Sequence, residues 1–249
     1  MANVTFRVWR GNAEGGDFHE YSIEVVEGMV VLDAMRKIQA EQAHDMGLRW
    51  NCKAGKCGSC SAEVNGMPRL MCMTRLGDLP LSKPVTIEPM RSFPRIRDLV
   101  TDVTWNYRVK KEIRAFHPKE KDFADGSWSM HQSDVDRVME FRKCIECFLC
   151  QNVCHVLRDH HMHDEFIGPR FFVFNAALEM HPLDRDDRLD DLREKNGIGL
   201  CNITKCCTKV CPEGITITDN AIIPLKERVV DRAYDPVMKV LNRWLGRAR

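Results

Sequence analysis

Between residues 144 and 154 the chain reads Cys144-Ile-Glu-Cys147-Phe-Leu-Cys150-Gln-Asn-Val-Cys154. Cysteines at the spacing C-x2-C-x2-C-x3-C constrain a fold more than any apolar pattern does. Their thiols must converge on one inorganic core, and this is the spacing that holds cubane iron–sulfur clusters. A related run lies downstream: Cys201-Asn-Ile-Thr204-Lys-Cys206-Cys207-Thr-Lys-Val-Cys211-Pro212. Laid on the first run, Thr204 stands where Cys147 stands. One thiolate is missing, so one iron has no anchor and a [3Fe–4S] cluster is the expected product. In chains with two such runs the fourth cysteine of each ligates the other run's cluster. That rule groups Cys144, Cys147, Cys150 and Cys211 on a [4Fe–4S] cluster, and Cys154, Cys201 and Cys207 on the [3Fe–4S] cluster. Pro212 removes a backbone donor and turns the chain. Cys206 falls outside this register and reads as a free thiol; as a ligand it would make the second cluster a full cubane.

The chain has 249 residues and 12 cysteines at a net charge of +1. That length supports one large or two ordinary domains with real cores. The charge balance argues against disorder and against a nucleic-acid-binding polycation. The first residues show no basic region followed by an apolar one, so no secretory signal is expected. Cysteines clustered at short intervals suit metal better than disulfides, which points to a reducing, cytosolic location. The longest apolar run, Phe171 to Leu178, is too short to cross a bilayer.

A third cysteine group lies upstream. Cys52-Lys-Ala-Gly55-Lys-Cys57-Gly58-Ser-Cys60, followed by Cys72, has the spacing C-x4-C-x2-C-x11-C, which holds a [2Fe–2S] cluster. Gly55 and Gly58 let the backbone approach the sulfides, and free N–H groups can then tune the cluster. A zinc site, and with it a zinc-stabilised interaction module, is the alternative reading. Val4 to Trp9 and His19 to Val25 alternate as a β-hairpin, and Val30 to Gln42 has helical spacing. Ser61 to Met71 reads as strand, Asn65-Gly66 turn and strand, and Val85 to Glu88 as a closing strand. This is the order of a β-grasp domain.

After about residue 100 the pattern turns helical, and the domain boundary is placed there. The fold class is α+β: an N-terminal β-grasp [2Fe–2S] ferredoxin-type domain (1–100) and a C-terminal α-helical ferredoxin domain (101–249). Ser133 is expected to cap a helix through Met139 that delivers Cys144. Asp184 to Lys195 reads as a solvated helix ended by Gly197. His155, His160, His161 and His163 read as a polar interface loop, or as a metal or proton-relay site. Asp235-Pro236 can start a terminal helix with Val237, Val240, Leu241, Trp244 and Leu245 on one face and Lys239, Arg243, Arg247 and Arg249 elsewhere. That face would meet a membrane anchor or anionic lipid, or pack on the chain's own core.

With its three cysteine motifs in this order and the linker Phe93-Pro-Arg-Ile-Arg-Asp98-Leu-Val-Thr-Asp102, the chain resembles the iron–sulfur subunits of succinate dehydrogenases and fumarate reductases over nearly its whole length. The resemblance implies a flavoprotein partner with covalent FAD, an integral membrane anchor carrying haem b or another redox cofactor, and a quinone reached through or beside it. It implies electron flow from FAD through [2Fe–2S], [4Fe–4S] and [3Fe–4S], on the cytoplasmic face of the plasma membrane, with no acid, base or nucleophile on this chain. Succinate oxidation is the expected direction. Fumarate reduction by the same subunit, or service to another flavin dehydrogenase, is the alternative. Better-known members have proline after the first [3Fe–4S] ligand and a nearby tryptophan at the quinone pocket. Here His155 follows Cys154, and Asn202 follows Cys201 where those members often have histidine. Entry of electrons into an anchor cofactor before quinone is the reading this departure suggests.

Overall fold

The computed structural model describes residues 2–244. Strand β1 (Ala2–Gly11) and strand β2 (Gly16–Val25) form an antiparallel hairpin. Helix α1 (Val31–Glu41) then buries Val31, Leu32, Ala34, Met35 and Ile38 along one face, as its helical spacing requires. Strands β3 (Ser61–Val64) and β4 (Met67–Leu70) flank a tight turn in which Asn65 and Gly66 both take positive φ. Both central residues of that hairpin turn need the left-handed region, which Asn-Gly supplies. Strand β5 (Val85–Glu88) lies inside the sheet rather than at its edge, parallel to β1 and antiparallel to β3, in the order β2-β1-β5-β3-β4.

The linker holds a feature that its composition hid. Strands β6 (Arg95–Arg97) and β7 (Val100–Thr101) form a small separate hairpin. Its turn residue Asp98 is buried, and its carboxylate accepts the backbone N–H of Gly11 at 2.9 Å and of Gly47 at 2.6 Å. Arg10 pairs with it at 3.0 Å. A short, isolated pair of strands gives too little alternation to be read from sequence.

From Thr104 onward the chain is helical. The elements are α2 (Thr104–Glu112), α3 (Gln132–Met139), α4 (Leu149–Val153), α5 (His155–Arg158), α6 (Pro169–Glu179), α7 (Leu189–Glu194), α8 (Cys206–Lys209), a π-helical turn (Ile217–Ile222) running into α9 (Ile223–Ala233), and α10 (Pro236–Trp244). The apolar run of the sequence is the core helix α6, buried on nearly all sides. Among the described residues no helix is long and apolar enough to cross a membrane.

Two local expectations are corrected, and between two readings of the terminal helix one is favoured. Ser133 lies inside α3, and the N-cap is His131, whose carbonyl accepts the N–H groups of Asp134 and Val135. The segment Asp184 to Lys195 is not a solvated helix. Only Leu189–Glu194 is helical, and Arg188 is 1% exposed, pairing with Asp184 and donating to the carbonyls of Arg114 and Ala115. A charge run thus hides a buried ion pair: Arg188, ahead of the helix, reaches back to Asp184 and gives its remaining N–H groups to backbone carbonyls. The terminal helix forms, with Asp235 accepting from Val237 N–H at 2.8 Å, but its apolar face does not pack on the core. Val237, Val240, Leu241 and Trp244 are exposed. Leu245, Arg247 and Arg249 lie outside the described residues.

Candidate iron–sulfur centres

The helical half carries two loops of one design. In Cys144–Cys150, Glu146 and Phe148 have φ of 55° and 61°; in Cys201–Cys207, Ile203 and Lys205 both have φ of 61°. The left-handed residues fall at the same two offsets from the leading cysteine, and a short helix, α4 or α8, follows each loop. Non-glycine residues are strained at positive φ. Alternating hands aim successive N–H groups into one concavity, a nest suited to an anionic guest. In this backbone register Thr204 takes the place of Cys147, as the sequence alignment of the two runs has it.

The short helices α4 and α8 pack on each other. That packing brings the tail of each run to the other's loop. Cys144, Cys147, Cys150 and Cys211 line a single cavity, closed by Ile145, Phe148, Val173, Ile215 and Ile217. Cys154, Cys201 and Cys207 lie at the neighbouring loop, where Cys154 feels the charge of Cys207 and Cys207 that of Cys201. Cys206, left without a role by spacing alone, sits beside Cys154 and Cys207 and within 3.2 Å of the Thr204 hydroxyl.

In the sheet half, the loop Cys52–Cys60 folds around its own sulfurs. Backbone N–H groups of Ala54 and Lys56 donate to Cys52 Sγ at 3.4 and 3.3 Å, and Ser59 N–H donates to Cys57 Sγ at 3.4 Å. Cys72 N–H donates to Cys60 Sγ at 3.5 Å. Burial works against ionisation of Cys57, but donors from Cys52 and Ser59 outweigh it and bring the thiol down to about 6. Elsewhere burial wins: it pushes Cys60, Cys147 and Cys154 up to about 12 and Cys207 to about 11, and holds Cys150 well above the ordinary thiol value. Bare thiolates are therefore costly in these pockets. Cationic iron relieves that cost, because a coordinating metal deprotonates a thiol outright. The sulfur donors, the apolar cavity and the N–H nests together fit iron–sulfur clusters.

The two halves touch at the cysteine loops. A Cβ on Gly58 would lie 2.6 Å from Cys147 Cα, so only glycine permits this approach of backbone to backbone. Ser61 Oγ lies 2.8 Å from the carbonyl oxygens of both Gly58 and Cys147, which share its one O–H donor. Beside this contact the carboxylate of Glu63, fully buried in β3, meets Asn152 of α4 at 3.0 Å, Arg91 at 3.2 Å and Arg158 of α5 at 3.3 Å. Of the histidines, His163 is tied to Ser92 O at 2.9 Å and stacked edge-on to Trp105, while His160 and His161 are exposed.

Residues 5–107 match the family model described as a 2Fe-2S iron-sulfur cluster binding domain, and residues 140–215 match the 4Fe-4S dicluster domain. The fumarate reductase iron-sulfur subunit of Mycobacterium tuberculosis is 31% identical over 202 residues, covering 80% of each chain. The succinate dehydrogenase iron-sulfur subunit of Coxiella burnetii is 27% identical over 220 residues, 85% of this chain and 91% of that one. A chain of the Mycobacterium smegmatis Sdh1 complex in the apo form superposes with a TM-score of 0.90 at 57% identity, covering 94% of this chain and 98% of that chain.

The chain belongs to the succinate dehydrogenase and fumarate reductase iron–sulfur subunit family. As a member it is an electron-transfer subunit of an oxidoreductase complex, with 2Fe–2S and 4Fe–4S cluster domains in an α+β fold. Some methanogen relatives are longer, and this chain spans 45–46% of their length. The matched cluster domains displace the zinc reading of the cysteine motifs.

Proposed function

We propose that this chain carries single electrons from the FAD of a flavoprotein subunit, through three clusters, to a membrane anchor and quinone during succinate oxidation. The [2Fe–2S] cluster is assigned to Cys52, Cys57, Cys60 and Cys72. The [4Fe–4S] cluster is assigned to Cys144, Cys147, Cys150 and Cys211, and the [3Fe–4S] cluster to Cys154, Cys201 and Cys207. The two domains divide near residue 100. Iron–sulfur clusters exchange one electron at a time, which matches a two-electron flavin to one-electron carriers.

The observation that carries this reading is the Gly58–Cys147 contact. It sets the first cysteine loop against the second, and the paired helices α4 and α8 set the second against the third. The outer loops of the series face solvent: Cys52–Ala54 at one end, Asn202–Lys205 at the other. An entry and an exit for electrons require such faces on partner subunits. The exposed apolar residues Tyr234, Val237, Val240 and Trp244 offer the anchor a further contact, which would hold the chain at the cytoplasmic face of the membrane. The anchor would carry haem b or another redox cofactor, and His155 after Cys154 favours electrons entering it before quinone. The same wiring run backwards is fumarate reduction.

EPR-monitored redox titration of the purified complex, with iron and acid-labile sulfide analysis, is the test. It should type three clusters holding two, four and three irons. Absence of the oxidised three-iron signal would refute the assignment at Thr204. A midpoint series running uphill toward the anchor would favour succinate oxidation.

A further inference from the structure

Arg170, the second residue of α6, stands outside the proposed ligand set. It is 5% exposed and lines the cavity of Cys144, Cys147, Cys150 and Cys211. One guanidinium nitrogen, Nη2, meets the Glu146 carboxylate at 2.8 Å. Its Nε is buried and has no protein partner. A buried N–H without an acceptor costs free energy that a fold seldom tolerates unless another group fills the need. The surroundings offer little choice. The ring faces of Phe171 and Phe174 lie on the guanidinium's flanks, and the rest of the cavity wall is sulfur, aliphatic carbon and the Phe148 ring, together with Glu213, whose carboxylate pairs with Lys56 at 3.5 Å. The positive charge of Arg170 is also felt at Cys144, where it opposes the effect of burial.

Glu146 sits between Cys144 and Cys147, and the same oxygen that meets Arg170 also meets Lys110 Nζ at 2.5 Å. One carboxylate thus restrains two cations at the rim of the cluster cavity; Glu213, which also lines it, is matched by Lys56, so the local balance is one positive charge in excess.

We infer that Arg170 sets the reduction potential of the four-iron cluster, with its Nε–H donating to a cluster sulfur and Glu146 holding part of its charge in check. The inference rests on the assignment of that cluster to Cys144, Cys147, Cys150 and Cys211. Reduction adds one electron and no proton, so the reduced cluster is one charge more negative. A fixed cation and an N–H donor stabilise that form more than the oxidised one, and the potential rises. Loss of Arg170 must lower it. Loss of the Glu146 charge must raise it, because two cations are then left uncompensated. Opposite shifts from two residues in contact are a signature that simple loosening of the fold does not produce.

The experiment is EPR-monitored redox titration of the intact complex carrying Arg170→Gln, Arg170→Lys or Glu146→Gln. For Arg170→Gln the reduction equilibrium should move at least tenfold toward the oxidised form, 59 mV lower for one electron. Arg170→Lys, which keeps charge but not the Nε–H, should recover only part of that. Glu146→Gln should move the equilibrium the other way. An intact four-iron signal with an unmoved potential in Arg170→Gln would overturn the inference, as would shifts of the same sign in Arg170→Gln and Glu146→Gln. Should Arg170→Gln fail to assemble, the Lys and Glu146 variants decide it by the same signs. Absence of any four-iron signal in the unmodified complex would overturn the cluster assignment itself.

Discussion

Replacing Gly58 by alanine tests the contact on which the proposed electron path depends. Two costs are involved, and the structure separates them. Gly58 has φ +68°, and Gly66 has φ +74° with nothing within 4 Å of where a Cβ would be. Alanine at Gly66 therefore carries only the left-handed penalty, about 1–2 kcal/mol. At Gly58 the new methyl would also lie 2.6, 2.9 and 3.1 Å from Cys147 Cα, Cβ and N. Backbone atoms cannot swing aside, so the two loops must part by about 1 Å to reach ordinary contact distance. Parting breaks the Ser61–Cys147 hydrogen bond, about 1 kcal/mol, and the residual crowding adds about 1 kcal/mol or more. Gly58→Ala should then cost about 2 kcal/mol beyond Gly66→Ala. For a chain of this size that is about 4–8 °C in melting temperature of the assembled complex. The second readout is functional: freeze-quench EPR after a substrate pulse should show electrons held on the two-iron cluster in Gly58→Ala and not in Gly66→Ala. Equal melting temperatures and equal electron distribution in the two variants would refute the close approach.

Further outcomes follow from the same geometry. Thr204→Cys should supply the missing thiolate, add one iron per complex and remove the oxidised three-iron EPR signal; Cys206→Ala should leave iron content and that signal unchanged. Glu63 has its carboxyl pushed above its ordinary value of 4.5, chiefly by burial and despite Arg158, Arg91 and Asn152. A raised folded value means the native state binds the proton more tightly, so its contribution to stability falls as pH rises through that window. Glu63→Gln should flatten this part of the pH–stability curve, read by urea titration of the complex at a series of pH values. Chelating the iron under reducing conditions should loosen the helical domain before the sheet, seen as earlier loss of amide protection in α4 and α8, whose buried thiols then lose their counter-charge.

Local elements were legible because each obeys a short-range rule. The β1–β2 hairpin, the Asn65-Gly66 turn and the α1 face are set by alternation, turn chemistry and helical spacing. The same holds for the two cysteine runs, where a fixed number of residues between sulfurs leaves the loop few shapes. The substitution of Thr204 for a cysteine was visible for that reason, and the left-handed pairs Glu146/Phe148 and Ile203/Lys205 repeat it in the backbone. The charge run at Asp184–Lys195 misled because composition does not report whether opposite charges face water or each other. Ser133 misled because its position inside the first turn of α3 depends on where His131 ends the preceding loop.

Sequence alone determined the spacing of the candidate thiols and the order of sheet and helix, since these depend on residue identity and near-neighbour spacing. Only the tertiary structure decided that Gly58 meets Cys147, that Glu63 of the sheet meets Arg158 of the helices, and that Arg170, with a buried and unpartnered Nε, lines the cavity of Cys144, Cys147, Cys150 and Cys211. Those pairs are separated by many residues or by a fold of the chain, and their proximity follows from packing, which no spacing rule encodes.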